Sequence, residues 1–359
     1  MKKTEILFQM LASALWRRPL DSFEMPSGAY KALMELADRQ TVTGLLCQSL
    51  MSNNVRLQKL EAVKTFAALR DIQEMNERLN AELVSLCRLL TERNIRFIVV
   101  KGATLGALYP EASSRMPGDI DFYCDSDNFE KAKAAISEAW KVEYEADEAG
   151  EQHLSFVHNS IIFELHYLLL EFASPRLQTV FNRMIADSKE CHRKVDGVHV
   201  PILSPEAELI YTYLHLYHHF IELGVGLRQI CDLAVLLSQQ YDSGEVRRLL
   251  DELDITRGFS AFEAICVDRL GLDESLVPVP ISQKDRKRTE GILSLVFEGG
   301  NFGQYAQKYA VRSGVSYYLD SFIKKVRNYY QFYSLSPSMV RSLLLRSIPK
   351  KIGQALKRS

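Results

Sequence analysis

The sequence predicts an α+β protein: a small mixed β-sheet with its own helices, flanked by helical regions on either side. Three observations predict it. Up to about Arg93, apolar residues recur every three or four positions without strand-like alternation. From Phe97 to about Leu170, short β-rich runs alternate with helical spacing, a pattern that by itself fits an α/β or an α+β unit. Beyond Pro205 the helical period returns. The chain accordingly reads as an N-terminal helical region over 1–93, an α/β core over 94–200 and a C-terminal helical region with a basic tail over 201–359.

The first helix is expected to be amphipathic. Met1-Lys2-Lys3 and the apolar stretch ending at Ala12-Ser13-Ala14 have the outline of a signal peptide, but Glu5 and Gln9 interrupt it. Ile6, Leu7, Met10, Leu11, Ala14 and Leu15 fall at helical spacing instead. No apolar run reaches the roughly 18 residues a membrane span requires, so no transmembrane segment is expected. The longest helical pattern runs from Val55 to Leu90, and its stripe from Leu60 through Phe66, Met75 and Leu83 to Leu90 suits packing against another layer.

Phe97-Ile98-Val99-Val100 then reads as a strand, Lys101-Gly102 as a turn, and Ala103 to Leu108 as the start of a helix. Asp119 to Cys124 is the second strand, Phe129 to Trp140 a helix and Lys141 to Glu145 a third strand. Leu154 to His158 and Ile161 to Tyr167 form a hairpin about Asn159-Ser160. Further on, Ala207 to Glu222, Leu227 to Gln239 and Ser243 to Leu253 are helices, with Gly224 and Gly226 breaking the first pair. A looser charged stretch around Gln283 to Thr289 precedes more helix, and Glu298 to Gly303 is a turn.

Composition bounds the chemistry. With 359 residues, 47% of them hydrophobic, the chain can bury an extensive core. Its 44 basic and 45 acidic residues nearly cancel, which argues against a nucleic acid or an anionic membrane as an obligatory partner. Six scattered cysteines without a C-x-x-C pair fit reduced thiols in the cytoplasm.

The chemistry centres on Asp119-Ile120-Asp121. Alternate side chains of a strand share a face, so the two aspartates project together and offer hard oxygen ligands to Mg²⁺. One D-x-D arises by chance about once in a chain of this length, so its neighbours carry the weight. Lys101-Gly102 stands where a strand gives way to a helix, a place where backbone N–H groups meet phosphate and where glycine lets it approach. Arg115 precedes the acidic strand through the Pro117-Gly118 turn, and its guanidinium suits a phosphate. Glu164 sits in the apolar run Ile161 to Leu165, where a charge needs a partner that a cation would supply. His166 shares its face, either binding substrate or hydrogen-bonding within the sheet.

In this order, Lys101-Gly102, Tyr109-Pro110, Arg115, Asp119-Ile120-Asp121 and Glu164-Leu165-His166 resemble the nucleotidyltransferases of the DNA polymerase beta superfamily, most of all its uncharacterised nucleotidyltransferase-like family. The resemblance covers about Phe97 to Tyr167. Leu227 to Leu233 and Gly300 to Gly303 resemble later, less diagnostic segments of that family. The resemblance implies an α+β nucleotidyltransferase core in which Asp119, Asp121 and Glu164 are catalytic and hold two Mg²⁺ ions. It also implies that an NMP passes from an NTP, such as ATP, to the hydroxyl of an unidentified acceptor. Lys101, Gly102, Thr104, Arg115, His166 and Arg228 are then the candidate nucleotide or substrate contacts. Where the superfamily usually has serine after the glycine, this chain has Ala103, leaving Thr104 or Lys101 to take that part. A catalytically silent nucleotide- or partner-binding protein on the same fold is the alternative.

Other signals weigh less. His215 and His219 stand four apart on a helix, a zinc spacing without an obvious third ligand. Arg228 and Asp232 are spaced as a helical ion pair. From Ser321 to Ser359 there are nine Lys or Arg and no acidic residues, with Tyr329, Tyr330, Phe332 and Tyr333 among them. Such a tail suits nucleic acid or anionic lipid, but aromatics packed on the body beneath solvated cations are the favoured reading.

Overall fold

The computed structural model describes residues 3–20, 25–26, 28–53, 55–146, 153–300, 326–342 and 344–345. The chain forms two compact units. The first comprises Met1–Leu170 with Lys189–Glu208, the second Glu171–Ser188 with Leu209–Ser359. The class is α+β, as expected.

The first unit opens with helices α1 (Lys3–Trp16), α2 (Ala29–Arg39), α3 (Thr43–Ser52) and α4 (Lys59–Glu92). The Gln58 amide donates to Glu61 at 3.0 Å, securing the start of α4. At 34 residues α4 is about 51 Å long, more than its neighbours can cover. Its expected stripe is therefore buried only in part: Leu69, Ile72, Leu79, Leu83, Leu86 and Leu90 are inside, whereas Leu60, Val63, Phe66 and Met75 are exposed.

Beyond α4 the first unit is a mixed five-stranded sheet. Its strands are β1 (Ile98–Val100), β2 (Ile120–Tyr123), β3 (Glu145–Ala146), β4 (His153–His158) and β5 (Ile161–His166), in the order β1-β2-β5-β4-β3. Only β2 and β5 pair in parallel. The β4–β5 turn is the expected one: Asn159 and Ser160 have φ of 47° and 66°, the two left-handed residues that a twist-matched two-residue turn requires. The third strand is shorter and later than the sequence suggests. Lys141 takes φ 55° to end the preceding helix, so the chain is not extended there.

Helices α5 (Gly102–Gly106) and α6 (Ser126–Trp140) follow β1 and β2. The Asp125 carboxylate caps α6 by accepting from the Asp127 and Asn128 amides. One face of the sheet, with Val99, Ile120, Phe122, Phe156, Phe163 and Leu165, packs on the second half of α4 and on Ala132, Ala135 and Ile136 of α6. Alternation along each strand then leaves Asp121, Glu164 and His166 on the opposite face.

In sequence the next helix is α7 (Pro175–Ala186), of the second unit, with the Ser174 hydroxyl accepting at its N-terminus and Pro175 in its first turn. The first unit then adds a hairpin that sequence reading missed, β6 (Cys191–Val195) and β7 (Val198–Ile202), turning at Asp196-Gly197 with φ of 45° and 84°. After it come α8 (Pro205–Glu222), α9 (Leu227–Leu237), α10 (Ser243–Glu252), α11 (Thr256–Asp268) and α12 (Gln283–Gly299). Helix α12 takes in the charged stretch read as loose, because Ser282 and Asp285 form a capping box at its start.

Near the C-terminus Tyr329 and Phe332 are buried, Phe332 against Phe220 at 4.8 Å between ring centroids, while Tyr330 is exposed. The packing favoured for the tail's aromatics thus holds for Tyr329 and Phe332 and not for Tyr330. Asn301 to Gly303 and most of the basic tail lie outside the described residues. Among the described residues no helix is long and apolar enough to cross a membrane. The six cysteines are free thiols.

Candidate active site

Register assembles the site. Antiparallel pairing sets Val100 of β1 beside Asp121 of β2, and Lys101 is the next residue. Parallel pairing sets Asp121 beside Glu164 and Tyr123 beside His166. On the far side of β5, β4 sets Ser155 opposite Glu164 and His153 opposite His166. Asp119 lies just ahead of β2 and is partly exposed.

The three carboxylates converge. Asp119, Asp121 and Glu164 each offer an oxygen, and those oxygens lie within 4.8 Å of one another. Glu164 is on the aspartates' side of the sheet, and no packed hydrocarbon separates them. Asp121 is 1% exposed. Its Oδ1 meets Lys101 Nζ at 2.9 Å and His166 Nε2 at 3.0 Å, while its Oδ2, shielded from water, has no hydrogen-bond partner among the described residues. A buried acceptor left so costs about 1–3 kcal/mol. A cation on the carboxylate cluster would remove that cost, and hard oxygen donors fit Mg²⁺.

Three carboxylates face the Lys101 ammonium and the His153 and His166 rings. Burial raises the Glu164 pKa, but the His166 hydrogen bond, helped by Lys101 and His153, outweighs it and holds the carboxyl below its usual range despite Asp119 nearby. Burial lowers the His166 pKa, yet its bonds to Asp121 and Glu164 reverse the sign and raise it. The hydrogen bond within the sheet foreseen for His166 is present.

The backbone is bent to make this arrangement. Lys101 has φ 58° and ψ −151°, a conformation that L side chains rarely adopt, and it aims its amine at Asp121. Gly102 has φ 52°, and a Cβ there would lie 3.0 Å from the Asp119 carbonyl oxygen, so only glycine lets this turn close on the acidic segment.

Other sequence candidates are placed differently. Thr104 is wholly buried, and its hydroxyl donates to the Lys101 carbonyl at 2.7 Å. Arg115 is 5% exposed, runs past Gly106 and donates to the Met116 carbonyl at 3.3 Å. The loop carrying it is tied to α4 by Asn76, whose amide lies 3.0 Å from the Ser113 carbonyl and 2.9 Å from that of Arg115. Arg228 begins α9 in the second unit. His215 and His219, also in that unit, have Nε2 atoms 3.1 Å apart, and no third His, Cys, Asp or Glu joins them among the described residues.

Two residues went unread in the sequence. His153 approaches Glu164 at 3.7 Å, signalled only by its register opposite His166. Arg193 of β6 forms a two-bond pair with Glu208 at 2.7 Å per bond and donates to the Thr104 carbonyl at 3.2 Å, bracing α5 from behind. The two-residue turn Asp196-Gly197 was its signal.

The model of the uncharacterised nucleotidyltransferase family matches residues 27–271, more than half of the chain and every element that carries a site residue. The chain belongs to that family. An antigenic nucleotidyltransferase-like protein from Paracoccidioides brasiliensis, known from its crystal structure, is similar at 17% identity, over 49% of this chain and 87% of that one, with a TM-score of 0.35. No curated protein matches the chain.

Proposed function

We propose that this member of the family transfers an NMP from an NTP to an acceptor hydroxyl on a small molecule, a sugar or a protein, with Mg²⁺ held by Asp119, Asp121 and Glu164. One observation carries the reading: Asp121 and Glu164 on adjacent parallel strands converge with Asp119, just ahead of the first of them, while a buried Asp121 oxygen lacks a partner among the described residues. Bound there, divalent cations supply positive charge to the triphosphate and make the acceptor hydroxyl easier to deprotonate. Lys101 adds a cation 2.9 Å from Asp121, positioned to neutralise phosphate charge. Gly102 keeps side-chain bulk away from the turn, so phosphate oxygens can come close to the backbone. Glu164, held ionised, is the group to take the acceptor proton. The acceptor oxygen forms its bond to the α-phosphorus, the α–β phosphate bond breaks, and pyrophosphate leaves.

A second reading has its own support. The residue after Gly102 is Ala103, and the Thr104 hydroxyl is spent on Lys101, so no side-chain hydroxyl serves a triphosphate at this turn. That feature, taken alone, suits a catalytically silent nucleotide- or partner-binding protein on the same fold.

Calorimetry with a non-hydrolysable NTP, with and without Mg²⁺, tests the site, and pyrophosphate release separates the two readings. The expected result is Mg²⁺-dependent binding that Asp121→Asn weakens by about 100-fold, the scale of a lost charge-assisted contact at a metal. Binding that ignores both Mg²⁺ and Asp121→Asn overturns the proposal.

A further inference from the structure

Glu164 faces two ways. One oxygen belongs to the acidic cluster with Asp119 and Asp121. The same residue also stands in a second grouping, with His153 and His166, whose ligand atoms again lie within 4.8 Å of one another. Its Oε1 is 3.7 Å from His153 Nε2, and its Oε2 is 3.4 Å from His166 Nε2. The two rings lie 4.9 Å apart, centroid to centroid, at 44°. These contacts are built by register: His153 is paired with His166 across β4 and β5, and Glu164 is two residues away on the same face. His166 of this grouping bonds the buried Asp121, whose other oxygen has no hydrogen-bond partner among the described residues, a sign that a ligand belongs beside it.

The donor chemistry of the two groupings differs. Three carboxylates suit Mg²⁺, which prefers oxygen and gives up water reluctantly. Two imidazoles and a carboxylate suit a borderline first-row cation, for which nitrogen donors add affinity, and leave its other positions open to water or substrate.

We propose that Glu164 is shared between two cation positions, an all-oxygen one with Asp119 and Asp121 and a nitrogen-bearing one with His153 and His166 that takes a first-row divalent cation, Mn²⁺ included, since Mn²⁺ accepts imidazole nitrogen more readily than Mg²⁺ does. This rests on reading the carboxylates as a cation site and is independent of whether nucleotidyl transfer occurs.

Pulsed EPR on the full-length protein loaded with Mn²⁺ alone tests it, because coupling to ¹⁴N reports directly coordinated imidazole. Bound Mn²⁺ is expected to show that coupling and to bind about tenfold more tightly than Mg²⁺. His153→Gln is expected to reduce the coupling and to weaken Mn²⁺ by about tenfold, leaving Mg²⁺ affinity within about twofold. His166→Asn, checked for an unchanged circular dichroism spectrum, is expected to reduce the coupling likewise. Mn²⁺ bound without ¹⁴N coupling, or coupling and affinity unmoved by His153→Gln, overturns the nitrogen-bearing position while the carboxylate site stands. Absence of any Mn²⁺ binding to the unaltered protein overturns both.

Discussion

At the scale of the residue, Lys101 is the most informative side chain. It holds an ion pair with a nearly inaccessible aspartate from a backbone conformation that favours glycine. Such strain, on the order of 1–3 kcal/mol, persists where surrounding structure over-determines it. Lys101→Ala loses the ion pair and keeps the strain, whereas Lys101→Gly loses the pair and releases it. The glycine variant is therefore expected to be the more stable by about 1 kcal/mol in urea unfolding, with nucleotide binding weakened in both. Equal midpoints would show the strain to be absent. Lys101, Gly102, Asp119, Asp121, Glu164 and His166 were legible because motif spacing places them along strands and at a strand end. His153 was not, since a lone histidine acquires meaning only from the strand it faces. The hydroxyl of Thr104 was equally unreadable, because its direction depends on the turn that encloses it.

At the scale of the element, β6 and β7 show what periodicity misses. Cys191-His192-Arg193-Lys194 has little apolar alternation, so its strand character rests on the turn that follows. Its Arg193 is 15% exposed at the side chain and its partner Glu208 is 3% exposed, so the pair is mostly desolvated. Arg193→Ala leaves a buried carboxylate uncompensated and is expected to destabilise the first unit by about 3 kcal/mol in chemical denaturation. Replacing both partners, as Arg193→Met with Glu208→Leu, is expected to restore most of that loss. If the single variant unfolds at the wild-type midpoint, the brace contributes nothing. A related lesson comes from α4: its apolar spacing continues through Leu60, Val63 and Phe66, yet burial stops where neighbouring elements end.

At the scale of the whole molecule, the chain completes the first unit only after visiting the second, through α7, and returning for the β6–β7 hairpin. The second unit carries its own electrostatic load in Glu263, which is 0% exposed on α11. Burial pushes its carboxyl well above the ordinary value of 4.5, with Asp285 adding to the effect and the Val279 backbone opposing it. The folded state thus keeps a proton that the unfolded chain releases above about pH 4.5. With fewer protons on the unfolded side, stability falls as pH rises from there towards the folded pKa. Glu263→Gln removes this dependence, so at pH 8 the variant should melt several degrees above the wild type, and at pH 4 the two should nearly coincide. A variant less stable than the wild type at both pH values would mean that the carboxylate is satisfied when ionised.

The sequence by itself determined the class of fold, most helices, the β4–β5 turn, and Asp119, Asp121 and Glu164 as candidates together with the turn at Lys101-Gly102, because these depend on spacing along one chain. Tertiary structure alone decided which charges meet. Strand order and register set Glu164 beside Asp121, brought His153 across from His166 and turned Thr104 inward, and pairing between distant segments leaves no periodic trace in the residues that undergo it.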